Sequence, residues 1–227
     1  MKKVWITTLF LLALSSMAHA QTLVQSAVHT PGPAPVMVHS ATLPKPVTSG
    51  DFLLVFMRNC NYATVPGQPF TDSQGNLWHD EDIYHDKWYV EAAKGGPLTL
   101  TFSYVSPNYC QFGIVEFSGS WTFDVTAHPL YTDDTMNGAS NPITPSQSGE
   151  LIIGFSVDDC HCALGYDPAI SAGAGFQVAA LTAPLLIEYM VQPVAATVTA
   201  TDHHAAPVDT ILTVAAFKPK PNGCLVQ

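Results

Sequence analysis

Leu98-Thr-Leu-Thr-Phe-Ser-Tyr104 is the stretch whose reading decides the fold. Leu98, Leu100, Phe102 and Tyr104 fall on one face of an extended chain and Thr99, Thr101 and Ser103 on the other, the period of a half-buried strand. Upstream, Phe52–Arg58 (FLLVFMR) is a continuous apolar run, which suits a strand buried on both faces. Leu23–Val28, Val36–Leu43, Leu77–His79, Trp88–Ala92, Phe112–Phe117, Leu151–Val157, Leu185–Val191, Val194–Thr201 and Thr210–Phe217 are further short β-like runs, split by Gly, Pro, Asn and Ser clusters. After residue 20 no window carries an apolar stripe of helical period. The expectation is an all-β protein, a two-sheet antiparallel β-sandwich or jelly roll, with no second domain and no internal repeat.

The first 20 residues have the order of a secretory signal: Lys2 and Lys3, then apolar Val4 to Met17, then the small-residue site Ala18-His19-Ala20. The apolar run is shorter than the roughly 20 residues of a membrane span. Cleavage after Ala20 leaves one domain over 21–217 and a Pro-rich tail over 218–227, in a secreted or periplasmic protein. It also removes two lysines and no acid, taking the formal net charge from −10 to −12. Such an acidic chain excludes nucleic acid as a partner and disfavours anionic lipid. No later segment is apolar enough to span a membrane.

Five cysteines in an exported protein point to disulfides before zinc. Turns at Asp72-Ser73-Gln74-Gly75-Asn76 and at Gly95-Gly96-Pro97 set the strand directions, and counting along them brings Cys60 and Cys110 to one end, where they can bridge. Cys160 and Cys162 pair with these or with one another. The odd thiol is Cys224, in the tail, where it is open to an intermolecular bond.

A resemblance rests on TSGDFLLVF, FTDSQGNLW, WYVEA followed by Gly95-Gly96, IVEFSG, SGELIIGF and VAAFKP. Together, from Thr48 to Pro219, they resemble a module of exported bacterial proteins similar to concanavalin A-like jelly rolls. The resemblance implies a sandwich and transfers no catalytic residue. The chain departs from that pattern in its Cys-rich loops and in His79-Asp-Glu-Asp-Ile-Tyr-His-Asp86.

The departures are the candidate sites. In the acidic loop His79, Asp80, Asp82, His85 and Asp86 offer oxygen and imidazole ligands to a divalent ion such as Ca, Zn or Cu; the competing role is a solvated, acidic loop. Cys160-His161-Cys162 and Asp202-His203-His204 are weaker signals of the same kind. Glu116 and Glu188 have the strand parity of apolar neighbours, and paired buried carboxylates are the equipment of glycoside hydrolysis; the acid triplet usual on such sandwiches is absent. Trp78, Tyr84, Trp88 and Trp121, with Tyr89, are candidates for a sugar-stacking face, or for the core. No nucleophile elbow is present.

The function these features favour is a secreted binding or surface module for a glycan or other cell-surface polymer. The alternatives are a glycan hydrolase using Glu116 and Glu188, and a metal-dependent protein using the acidic loop.

Overall fold

The computed structural model describes residues 22–60, 68–80, 86–158, 169–182 and 184–220. The described residues form sixteen strands, numbered in chain order, and no helix. A central sheet runs β1 (Leu23–His29), β8 (Gln111–Phe117), β3 (Phe52–Arg58), β6 (Lys87–Val90), β5 (His79–Asp80). A second large sheet runs β10 (Leu130–Thr135), β16 (Val208–Pro219), β11 (Glu150–Asp158), β14 (Leu185–Gln192), β13 (Gln177–Thr182), with β9 (Trp121–Thr126) paired to the far half of β16. A three-stranded sheet runs β2 (Val36–Thr42), β7 (Thr99–Asn108), β4 (Phe70–Asp72), and β12 (Ser171–Ala172) pairs with β15 (Asp202–His203). All pairings are antiparallel.

The sandwich is therefore present, and it carries an additional layer. Leu53, Val55 and Met57 of β3 pack with Leu100 and Phe102 of β7 in one core, while Phe52, Leu54 and Phe56 pack with Leu151, Ile153 and Phe155 of β11 in another. The continuous apolar run of β3 follows from this: the central sheet has a sheet on each face. β11 is buried throughout for a related reason. Ile152, on its other face, joins Ala200, Ile143, Leu212 and Val214 in a third core, roofed by two connections that meet through the Ala139–Thr201 and Ile143–Val198 bridges.

That roof corrects the expected strand over Val194–Thr201. Its alternation is real, but Pro193, Pro142 and Pro145 remove donors on both sides of the contact, and only isolated bridges form. β9, β10 and β13 had no clean apolar signal and escaped the reading. β16 continues through Lys218 and Pro219, two residues into the segment read as tail, and Lys220 N donates to Ser120 O at 2.9 Å.

The Asp72–Asn76 turn forms as its chemistry requires. Asp72 Oδ1 accepts Gln74 N at 2.6 Å, and Oδ2 accepts Asn76 N at 3.0 Å, Asn76 Nδ2 at 2.6 Å and Trp78 Nε1 at 2.9 Å. Gly75 takes φ +63°. Cys60 and Cys110 are disulfide-bonded across 50 residues, a closure worth about 4 kcal/mol on the chain-entropy account.

Candidate functional site

Among the described residues, a group of buried ionisable side chains lies on the outer face of the second large sheet, beneath the roof. Ser156 and Glu188 point to that face from β11 and β14, and Asp202 and His204 reach down from the β15 segment. Ser156, Glu188, His204 and Thr210 are fully buried and Asp202 nearly so. Glu188 sits opposite Gly154 in the β11–β14 register. Glycine is required there, because a Cβ would come within 2.6 Å of Glu188 Oε1 and 2.9 Å of Ala200 Cβ.

Asp202 is the hub. Its Oδ1 accepts Gly138 N at 2.7 Å, and its Oδ2 accepts the Ser156 hydroxyl and lies 3.3 Å from His204 Nε2. Burial pushes this carboxyl up, but the bonds from His204 and Ser156 outweigh it and hold the group below its usual value. Glu188 behaves oppositely. Its Oε2 accepts Gly173 N at 2.8 Å, while Oε1 has no hydrogen-bond partner among the described residues. Burial, with the charge of Asp202 nearby, raises Glu188 to about 8.

Serine, aspartate and histidine are the residue types of a hydrolase triad, in an order that does not serve one. The Ser156 hydroxyl donates to a carboxylate, so no imidazole is placed to take its proton, and the cluster is closed to solvent. Its chemistry is to fasten the roof: Asp202 and Glu188 tie Gly138 and Gly173 to the sheet.

Glu116 is not part of this group. It lies on the central sheet, where Oε1 accepts Thr48 N at 2.9 Å and Oε2 accepts Gln25 Nε2. Asp51 beside it is raised by burial and by its contact with Glu116, against the bond from Gly119 N. The two glutamates expected as a catalytic pair sit in different sheets and share no partner.

The aromatic candidates are core residues. Trp78 and Trp88 are 6% exposed and Trp121 is 1% exposed, so they present no face to a sugar. Phe70 meets both Trp78 and Trp88 edge-on. Tyr84 lies outside the described residues. So do Asp82 and His85 of the acidic loop, and Cys160, Cys162 and Cys224. Of the loop's remaining groups, His79 stacks on Tyr89 with ring centroids 5.2 Å apart, Asp80 is exposed, and Asp86 pairs with Lys87. Among the described residues no three His, Cys, Asp or Glu side chains converge to hold a metal ion.

Sequence reasoning missed Lys87, which is fully buried with Nζ 5.8 Å from the Phe56 ring centroid and 5.7 Å from that of Phe155. It also missed His29 and His39, which share a hydrogen bond. Their signal is parity: each is a polar residue at an inward-facing strand position.

No described protein family, curated protein or solved structure matches this chain.

Proposed function

We propose that this chain is an exported binding module whose ligand is a neutral, polyhydroxylated polymer, a glycan by chemistry, held on the outer face of the three-stranded sheet. One observation carries the reading. Thr42 pairs with Thr99, Ser40 with Thr101, and Thr101 with Thr71, so hydroxyls from three strands form rows on one face. Val38 beside Ser103 and the fully exposed Val105 extend the rows with methyl groups. Spacings of about 6.8 Å along a strand and about 4.8 Å across strands follow from sheet geometry.

The face is also uncharged in a chain of net charge −10: the only Lys, Arg, Asp or Glu in β2, β7 and β4 is Asp72, which is occupied by its turn. A neutral lattice of donors, acceptors and methyls suits sugar rings, which present alternating hydroxyls and C–H faces, better than it suits an ionic polymer. Export is supported by the Lys2–Ala20 pattern and by the Cys60–Cys110 disulfide, a bond characteristic of oxidising compartments.

The test is retention on a panel of insoluble neutral polysaccharides, comparing the natural chain with a Ser40→Lys, Thr101→Lys double variant. Both side chains point outward, and because Ser40 and Thr101 are cross-strand partners the two lysines repel, so the variant's urea midpoint is measured first to show that it is folded. Retention reduced at least tenfold in the variant supports the reading. No retention on any polymer, or equal retention of both proteins, removes it.

A further inference from the structure

We propose that the His29–His39 hydrogen bond is an acid-released latch that holds the three-stranded sheet against the central sheet. His29 closes β1 in the central sheet, and His39 faces inward from β2 in the three-stranded sheet. His29 Nε2 and His39 Nδ1 are 2.9 Å apart, and the rings meet edge-on at 84°. On its other side His39 Nε2 lies 2.7 Å from Asn108 Oδ1. An amide oxygen only accepts, so His39 Nε2 carries the proton, Nδ1 is the acceptor, and His29 Nε2–H donates to it. The join crosses between the central and three-stranded sheets, against Phe112 and Tyr104 of the core they share.

The bond needs one of the two facing nitrogens bare. A proton taken up at His29 Nδ1 keeps the Nε2–H donor but leaves a charge that only the Ser40 main chain offsets, with no counter-charge beside it. N–H on both facing nitrogens sets two imidazolium rings against each other at 2.9 Å and breaks the join. The elements packed against the two rings present Phe112 from β8, stacked on His29 at 5.2 Å, and Tyr104 and Asn108 from β7. Of these only Tyr104 titrates, and burial pushes its hydroxyl up to about 12, so it stays neutral. Arg58 and Lys87 have the strand parity of Phe56, toward the second large sheet, and Cys60 and Cys110 are disulfide-bonded. Burial, and the proximity of His39, accordingly lower His29 from the ordinary imidazole value, against the Ser40 main chain, which raises it.

The sign follows from linkage. A histidine held below its unfolded value takes up a proton on unfolding, so its contribution is complete above about pH 6.5 and is lost as pH falls toward the folded value. The latch therefore loosens on acidification, whatever the outer face of the sheet binds.

Amide exchange of the natural chain at pH 7.5 and 5.5, corrected for intrinsic rates, reads this directly. Protection of β2 amides should fall about tenfold per proton taken up per pH unit below about 6.5, while β11 and β16 amides hold. A His29→Gln variant keeps an N–H donor for His39 and does not titrate, so its urea midpoint should lose most of the natural chain's fall between pH 7 and 5.5. Equal β2 protection at both pH values, or an undiminished pH slope in H29Q, overturns the proposal. Should H29Q fail to fold, the exchange measurement alone decides.

Discussion

Glu116 in β8 and Glu188 in β14 are both fully buried strand glutamates among apolar neighbours, and they differ in what surrounds the carboxyl. Glu116 has a main-chain donor on one oxygen and a side-chain amide on the other. Glu188 has Gly173 N on one oxygen, with the Thr201 main chain near, and no partner on Oε1. Burial costs each of them solvation; Glu116 has a donor on both oxygens to offset it, and Glu188 has a bare oxygen. The position in the strand is thus a poor guide to chemistry, and the donor count is a good one.

The two glutamates should consequently respond to substitution with opposite signs. Glu116→Ala takes the acceptor from Thr48 N, leaves Gln25 Nε2 with Lys45 O alone and opens a cavity, and should cost about 2–4 kcal/mol in urea unfolding at pH 7. A loss under 1 kcal/mol would erase the distinction. Glu188→Gln should instead stabilise. A carboxyl raised to about 8 holds its proton in the fold and releases it on unfolding at neutral pH, so stability is full below the unfolded value near 4.5 and is lost as pH rises through 8. The slope is about 1.4 kcal/mol per pH unit across that window. Replacing the acid with an amide removes it, for a gain of about 2–3 kcal/mol at pH 7 and little change at pH 4. Parallel pH–stability curves for the two proteins would show that Glu188 does not titrate in this window.

Much of this architecture is readable from residues because it rests on local rules. The alternation from Leu98 to Tyr104 and the unbroken FLLVFMR run report which faces are buried, and Asp72 and Gly75 carry their turn with them. Strand counting then brings Cys60 to Cys110. What escapes is set by contacts distant in sequence. The third sheet cannot be told from an edge of the second by period alone, because one buried face looks the same whichever sheet covers it. Trp78, Trp88 and Trp121 are equally suited to a core or a sugar platform until the partner layer is known. The carboxylate cluster is the extreme case. Gly138, Ser156, Glu188 and Asp202 come from four separate segments, and only the strand parity of Glu188 and the Asp202-His203-His204 motif hinted at them.

The cluster offers the finest adjustment of the comparison, through Ser156. Its hydroxyl supplies Asp202 with one of the bonds that hold that carboxyl below its usual value, and the donor to Glu188 is a different group, Gly173 N. Ser156→Ala removes a charge-assisted bond without disturbing Gly138 N, at a cost of about 1–2 kcal/mol at pH 7. The direction with pH separates this from simple loss of packing. A depressed carboxyl contributes stability above its unfolded value and loses it as pH falls through the folded value. With one donor gone the folded value rises, so less of the total is left to lose, and the acid limb of the S156A curve should flatten below about pH 4. The alkaline limb set by Glu188 should keep its slope. If S156A shifts the whole curve down by a constant amount, Asp202 draws nothing particular from the serine. Donor count would then have to give way to packing as the reason the two buried acids differ.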